Sequence, residues 1–171
     1  MVINSVESSL ETKVWWSFIH HDLQELFRES LTLFSKVSEW EEKFHDYAFV
    51  VFPAAKAYEG FLKTLFLELG FITKDEFYGK RFRVGKALNP ALEKILRREE
   101  GVYDKLVDFC GGKDPADALW EAWRQSRNLL FHWFPNERNA ISLEEAGQKI
   151  NSIFAAMDKA FKECRINRVE E

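Results

Sequence analysis

The sequence predicts an all-α protein that folds as one compact domain over residues 1–171. Only 4 prolines and 8 glycines interrupt the chain, so breaks between regular elements are few. Strand-like alternation is nearly absent, whereas apolar residues recur every three or four positions along most of the sequence. The length allows a sizeable core, and neither a repeat nor a linker divides the chain. We therefore expect a single bundle of packed helices.

A long N-terminal helix is expected within residues 1–40, from about Ser8 to Lys36. Trp15 and Trp16 are adjacent, so at least one indole must lie outside the apolar stripe of this helix. Such an indole can mark a surface for a partner, although irregular aromatic packing is the commoner explanation. The stripe itself consists of Val14, Phe18, Leu23, Leu26, Phe27, Leu31 and Phe34.

The core of the domain is expected over residues 45–165, and its first helix should begin or kink near Phe52. Pro53 suits the first turn of a helix, where its missing N–H costs nothing. Gly70 is a typical helix stop. Between these residues one helical face is strongly apolar, with Tyr58, Phe61, Leu62, Leu65, Phe66 and Leu69.

The stretch FITKDEFYGKRFRVGKALNP is the least regular part of the chain and the only one with concentrated positive charge. Aromatic residues are interleaved with these charges, which is an arrangement that can hold single-stranded RNA. A solvated loop with aromatics folded beneath it explains the same pattern. The charges come from Lys80, Arg81, Arg83 and Lys86.

The remaining helices are predicted from their caps and stops. Shorter helices should run from about Pro90 to Arg98 and around Tyr103 to Phe109. A longer helix should run from Asp114 to Phe134, because Pro135 disfavours helical geometry before it. Ser142 and Glu145 form a capping box that begins a last helix, which should end near Lys162.

Composition and charge exclude several classes of protein. A net charge of -4 argues against a protein that coats nucleic acid nonspecifically. No apolar run is long enough to span a membrane, and the first residues lack the features of a secretion signal. Cys110 and Cys164 are too few for a disulfide framework and lack metal-ligand spacing. These features predict a cytoplasmic protein without a zinc site, and they indicate no cofactor.

The run RNLLFH carries the main functional indication. On the expected helix from Asp114 to Phe134, Arg127 lies in the middle of the apolar side. Either the aliphatic part of its side chain packs on the apolar side and the guanidinium reaches water, or the guanidinium meets an anion in a cleft. His132 lies about 140° away on an ideal helix, so the two can serve one site only through a long side chain, a distorted helix end or a second subunit. Because His132 lies in the last turn of this expected helix, the helix dipole would stabilise its imidazolium form.

The motif Arg127-Asn128-Leu129-Leu130-Phe131-His132 resembles the R-N-x-x-x-H motif of the HEPN superfamily. Upstream, Lys56-x-x-Glu59 resembles the basic-x-x-Glu element of RNase LS-type toxins, although those toxins are expected to have Arg in place of Lys56. The likeness covers roughly Tyr47 to Lys162. It implies a HEPN-like helical bundle, present as a homodimer with the active site at the dimer cleft.

The resemblance also implies metal-independent cleavage of RNA to 2',3'-cyclic phosphate and 5'-hydroxyl ends. His132 would act as general acid or base, Arg127 would stabilise charge on the phosphorane, and Glu59 would orient His132 or pair with Arg127. The residues expected to bind the substrate are Lys56, Asn128, Lys80, Arg81 and Arg83. Such a nuclease would act as a toxin or in antiviral defence, with RNA as substrate and an antitoxin protein as a further partner.

Other interpretations stay open at this point. Glu59 and Lys63 could form an ordinary i, i+4 ion pair. The domain could be a non-catalytic HEPN-like module that binds RNA, a nucleotide or a protein. It could also be a helical interaction domain in which RNLLFH has no functional role.

Overall fold

The computed structural model describes residues 10–135, 139–164 and 166. Within these residues every regular element is helical, which confirms the predicted all-α class. None of the described helices is long and apolar enough to cross a membrane. The helices are α1 (His21–Glu39), α2 (Ala48–Glu68), α3 (Lys74–Tyr78), α4 (Val84–Ala87), α5 (Lys94–Glu100), α6 (Tyr103–Cys110), α7 (Asp114–Trp123) and α8 (Leu143–Glu163).

Helix α2 forms the centre of the fold and packs against α1, α7 and α8. Its sequence is apolar on almost every side, as expected for a helix surrounded by others. Small residues such as Ala54 and Ala57 let neighbouring backbones approach, while Phe61 and Leu65 fill the space between them. Helix α2 also carries Glu59, one of the predicted site residues.

The predicted N-terminal helix is wrong in its first half. Within residues 10–20 the chain forms turns and a short 3-10 helix at Trp16–Phe18, and Ile19 is extended, so α1 begins only at His21. Residues 1–9, including the expected start at Ser8, lie outside the described residues. The break has a clear cause, because it lets both indoles of the tryptophan pair turn into the core.

Trp15 and Trp16 are both buried, which agrees with irregular aromatic packing rather than with a partner surface. Trp15 stacks on Phe154 with 5.8 Å between ring centroids. Its indole N–H donates to Asp158 Oδ1 at 2.7 Å, so the buried polar atom has a partner. This segment consequently belongs to the core of the protein and does not present these rings to a partner.

The sequence predicts a boundary or a kink near Phe52, and the boundary is wrong because α2 already begins at Ala48. Asp46 Oδ1 accepts a hydrogen bond from the Ala48 N–H at 3.0 Å and fixes this earlier start. Pro53 then lies in the second turn, where it removes one hydrogen bond to the carbonyl of Phe49.

Two of the predicted helix-end signals are confirmed. The Ser142–Glu145 capping box begins α8 as expected, and Gly70 follows α2 with a positive φ of 69°. The helix expected around Tyr103 to Phe109 is α6, whereas α5 begins later than the predicted Pro90. Short helices α3 and α4 occupy the segment that looks least regular in the sequence.

A disulfide bond joins Cys110 at the end of α6 to Cys164 just after α8, a pairing that the sequence did not predict. It spans 54 positions of the chain, so it restricts the unfolded state considerably. We expect reduction to lower the free energy of unfolding by about 2–4 kcal/mol. Urea denaturation with and without dithiothreitol measures this difference.

The matched control is the Cys110→Ser variant, whose urea midpoint should match that of the reduced protein and should not respond to dithiothreitol. Thiol titration of the native protein reports the same bond directly. Two reactive thiols before reduction, together with an unchanged urea midpoint after it, would show that the bond does not form.

Candidate functional site

The helix that carries the RNLLFH motif ends differently from the prediction. Helix α7 stops at Trp123, and a π-helical turn follows at Arg124–Asn128, closed by the Leu129 N–H bonding to the Arg124 carbonyl at 2.9 Å. Beyond it the chain forms turns, so the expected continuous helix to Phe134 is wrong. A π turn holds one more residue than an α turn and is often found at functional sites.

The end of this helix is held by a residue that the sequence did not single out. Asn139 donates from its side-chain amide to the carbonyls of Leu129 and Leu130, each at 3.4 Å, and to the carbonyl of His132. Carbonyls at a helix end lack partners within the helix, so such a donor stabilises the turn. Asn139 thereby sets the position of the backbone that carries His132.

The π turn ends the helix at Asn128, and Leu129 to His132 form turns. The separation of about 140° expected on a continuous helix therefore does not apply to Arg127 and His132. Both residues line the same open cleft, which we call the candidate cleft. Of the three ways to bring them together, the structure shows a distorted helix end.

The candidate cleft has a volume of about 540 Å³ and lies between α2, α4 and the π turn. Five of the predicted site residues line it, and Lys86 of the basic segment lines it as well. The five are Glu59, Arg83, Arg127, Asn128 and His132. Trp120 and Trp123 also line the cleft, and neither is among the residues predicted for the site.

Arg127 meets a carboxylate, which accounts for a cation on the apolar side of its helix. Its Nε lies 3.4 Å from Glu59 Oε2, and its guanidinium carbon lies 5.6 Å from the centroid of Phe131. Both side chains of the ion pair are 37% exposed, so the pair faces the cleft and water. Because a guanidinium has five N–H donors, the contact at Nε leaves donors for a substrate anion.

Glu59 pairs across the cleft with Arg127, whereas the Lys63 ammonium stands over the ring of Phe77 at 5.4 Å. The neighbouring Tyr58 holds this part of α2 in place by donating its hydroxyl to the Leu119 carbonyl at 3.0 Å. Burial raises the pKa of Tyr58 well above its usual value, so the hydroxyl remains a donor. The pair is thus supported by a fixed contact between α2 and α7.

Gly85 allows α4 to form the opposite wall of the candidate cleft. A Cβ atom at this position would lie 2.6 Å from Trp123 Nε1, so only glycine permits this close approach. The approach brings Arg83 and Lys86, which flank Gly85, to the rim of the cleft. Both also line an adjoining groove of about 420 Å³ that includes Arg81, and we call it the basic groove.

The remaining predicted site residues lie elsewhere. Lys56 and Lys80 are exposed, and neither is among the described residues that line the candidate cleft or the basic groove. His132 is exposed and lies beyond the last helical turn, so the expected stabilisation by a helix dipole does not apply to it. Its position in the cleft, rather than a helix end, is the feature relevant to chemistry.

Comparison with known proteins gives no match: no family model, no curated protein and no solved structure matches this chain. The function is therefore inferred from the cleft itself and from the motif that lines it.

Proposed function

We propose that this protein is a metal-independent endoribonuclease of the HEPN type. The observation that carries the proposal is the convergence of Arg127, Glu59 and His132 on one open cleft. The imidazole can move a proton, and the guanidinium can bind a phosphate. Arg83 and Lys86 on the rim add positive charge on the side where the basic groove begins.

In the proposed reaction, a ribose 2'-oxygen attacks the adjacent phosphorus while its proton passes to a base. The bond to the 5'-oxygen of the next nucleotide then breaks, and that oxygen receives a proton. The products carry a 2',3'-cyclic phosphate and a 5'-hydroxyl. His132 performs one of the two proton transfers, and Arg127 stabilises the negative charge that grows on the phosphorane oxygens.

Each chain contributes His132 to its candidate cleft, whereas the reaction needs both a base and an acid. In the proposed homodimer the partner's copy of the motif supplies the second group. Asn128, which also lines the cleft, holds the RNA backbone or the imidazole. RNA strands enter along Arg81, Arg83 and Lys86.

The proposed setting is that of a toxin or antiviral nuclease controlled by an antitoxin protein. This setting is drawn from the family resemblance. The buried Trp15 and Trp16 do not provide the antitoxin surface, so a controlling protein would have to cover other parts of the molecule.

The test is cleavage of structured and unstructured RNA by the purified protein in the presence of EDTA. We expect cleavage at phosphodiester bonds with 2',3'-cyclic phosphate and 5'-hydroxyl ends, identified by mass spectrometry and by kinase labelling of the 5' ends. Absence of cleavage of both RNA types by the folded protein, with dimer mass checked by light scattering, would contradict the proposal.

Replacing Glu59 by Gln tests whether the ion pair positions Arg127. The amide keeps the shape and one acceptor oxygen but loses the charge, so we expect kcat/KM for RNA cleavage to fall about tenfold. Stability should change by less than about 1 kcal/mol because the pair is exposed. An unchanged pH profile with a lower kcat would indicate positioning of Arg127 rather than proton transfer by Glu59.

A second candidate function is a non-catalytic RNA-binding module, which the basic groove favours because Arg81, Arg83 and the ring of Phe82 can hold a single strand by charge and stacking. A binding module should retain RNA affinity after His132→Ala but lose it after Arg127→Ala or changes at Arg83. Cleavage that depends on His132 distinguishes the enzyme from this alternative.

A further inference from the structure

A second cavity adjoins the candidate cleft and shares His132 with it. It has a volume of about 350 Å³, which lies within the range of small-ligand sites. Its lining includes His45, Asp46, Trp133 and Asn139. The reaction proposed above uses none of these four side chains.

The walls of the second cavity are fixed by hydrogen bonds across the chain. Asp46 Oδ1 accepts from the backbone N–H of Ala48 at 3.0 Å and of Ile141 at 3.2 Å. The Tyr47 N–H donates to the Ile141 carbonyl at 3.0 Å, and Asn139 holds the turn that carries His132. Within the described chain both bonds to Asp46 end on Oδ1, so its Oδ2 is the oxygen left for a ligand.

The chemistry of this lining suits a nucleobase. Trp133 is 78% exposed, so core packing does not explain this large indole. Unpaired bases of RNA are recognised by stacking on aromatic rings and by hydrogen bonds to their edges. A flat indole beside a carboxylate oxygen offers both interactions, and a carboxylate accepts a hydrogen bond from the amino group of cytosine.

The position of the cavity relative to the basic groove gives a path for an RNA strand. Arg83 and Lys86 line the candidate cleft on one side, whereas His132 connects the cleft to the second cavity. A strand with its phosphates along the basic groove and one phosphate at Arg127 would bring a neighbouring base to Trp133. Resting on the proposed function, we propose that the second cavity binds one base of single-stranded RNA beside the scissile phosphate, with preference for a base that presents an amino group.

The first test measures binding without cleavage. Fluorescein-labelled 2'-O-methyl oligonucleotides of six cytidines or six uridines cannot be cleaved through a 2'-hydroxyl, and their affinities are obtained from fluorescence anisotropy. We expect wild-type protein to bind the cytidine oligonucleotide about tenfold more tightly. Trp133→Ala should weaken binding of both oligonucleotides by about tenfold. The matched control is Phe109→Ala, which removes an exposed aromatic ring that lines neither the candidate cleft, nor the basic groove, nor the second cavity, and it should leave both affinities unchanged.

The second test changes base preference without removing the structural role of Asp46. Asp46→Asn keeps an oxygen that can accept from the Ala48 and Ile141 amides, but it places an NH₂ donor where Oδ2 was. We expect the cytidine-to-uridine affinity ratio to fall to one or below, because the new donor suits the O4 of uracil. A purely structural role would weaken both oligonucleotides equally.

Several results would overturn this inference. They are equal wild-type affinity for the two oligonucleotides, no effect of Trp133→Ala, or loss of a dimer in light scattering after Trp133→Ala with RNA binding unchanged. The last result would make the surface an interface between copies of this chain. RNA cleavage without base preference would remove this inference alone, whereas base-dependent binding without RNA cleavage would remove the proposed function alone.

Discussion

Replacing His132 by Ala is expected to lower the rate of RNA cleavage by about 10²- to 10⁴-fold, the usual contribution of a positioned acid or base. The imidazole lines the candidate cleft and is exposed, so its removal leaves the core intact. Asn139 bonds to the backbone carbonyl of His132 rather than to the ring, so the turn should keep its conformation. Single-turnover cleavage of a labelled RNA in EDTA measures the effect.

The matched control for this variant is His20→Ala, which removes another exposed histidine at the start of α1 and outside the candidate cleft. Its cleavage rate should equal that of the wild type. Circular dichroism and the urea midpoint should be the same for all three proteins. Cleavage that persists in His132→Ala would exclude proton transfer by His132. An equal loss in His20→Ala would show that the effect is not specific to the candidate cleft.

Much of the fold could be predicted because local signals and tertiary packing agree. The capping box at Ser142 and the glycine at position 70 act within a few residues of the chain, so they are visible in the sequence. The start of α1 was missed for the opposite reason. A helical period continues through His20, and only the burial of Trp15 beside Asp158, which is distant in sequence, explains the break.

The same distinction applies to the candidate site. The spacing of Arg127 and His132 and the presence of Glu59 could be found in the sequence, and these residues line one cleft. The π turn could not be predicted, because the residues of Arg124–Asn128 are equally compatible with an α-helix. Its conformation is supported by the carbonyl contacts of Asn139, and Asn139 approaches only after the chain has folded.

Arg127→Ala is expected to reduce kcat for RNA cleavage by about 10²- to 10³-fold, as found when one donor to a developing negative charge is removed. The free energy of unfolding should change by less than about 1 kcal/mol, because both members of the ion pair with Glu59 are 37% exposed. Arg127→Lys should restore only part of the rate, since an ammonium keeps the charge but not the planar fork of donors. Single-turnover cleavage and urea denaturation measure the two effects separately.

Arg124→Ala is the matched control for Arg127, because Arg124 lies in the same π turn and forms its own ion pair with Glu121. It does not line the candidate cleft, so its removal should leave cleavage within about twofold of wild type at a similarly small cost in stability. If both variants lost cleavage to the same extent, the cause would be distortion of the π turn. A large loss in Arg127→Ala alone would place the reacting phosphate at Arg127. Both variants remove an arginine from the same π turn, but only Arg127 lines the candidate cleft.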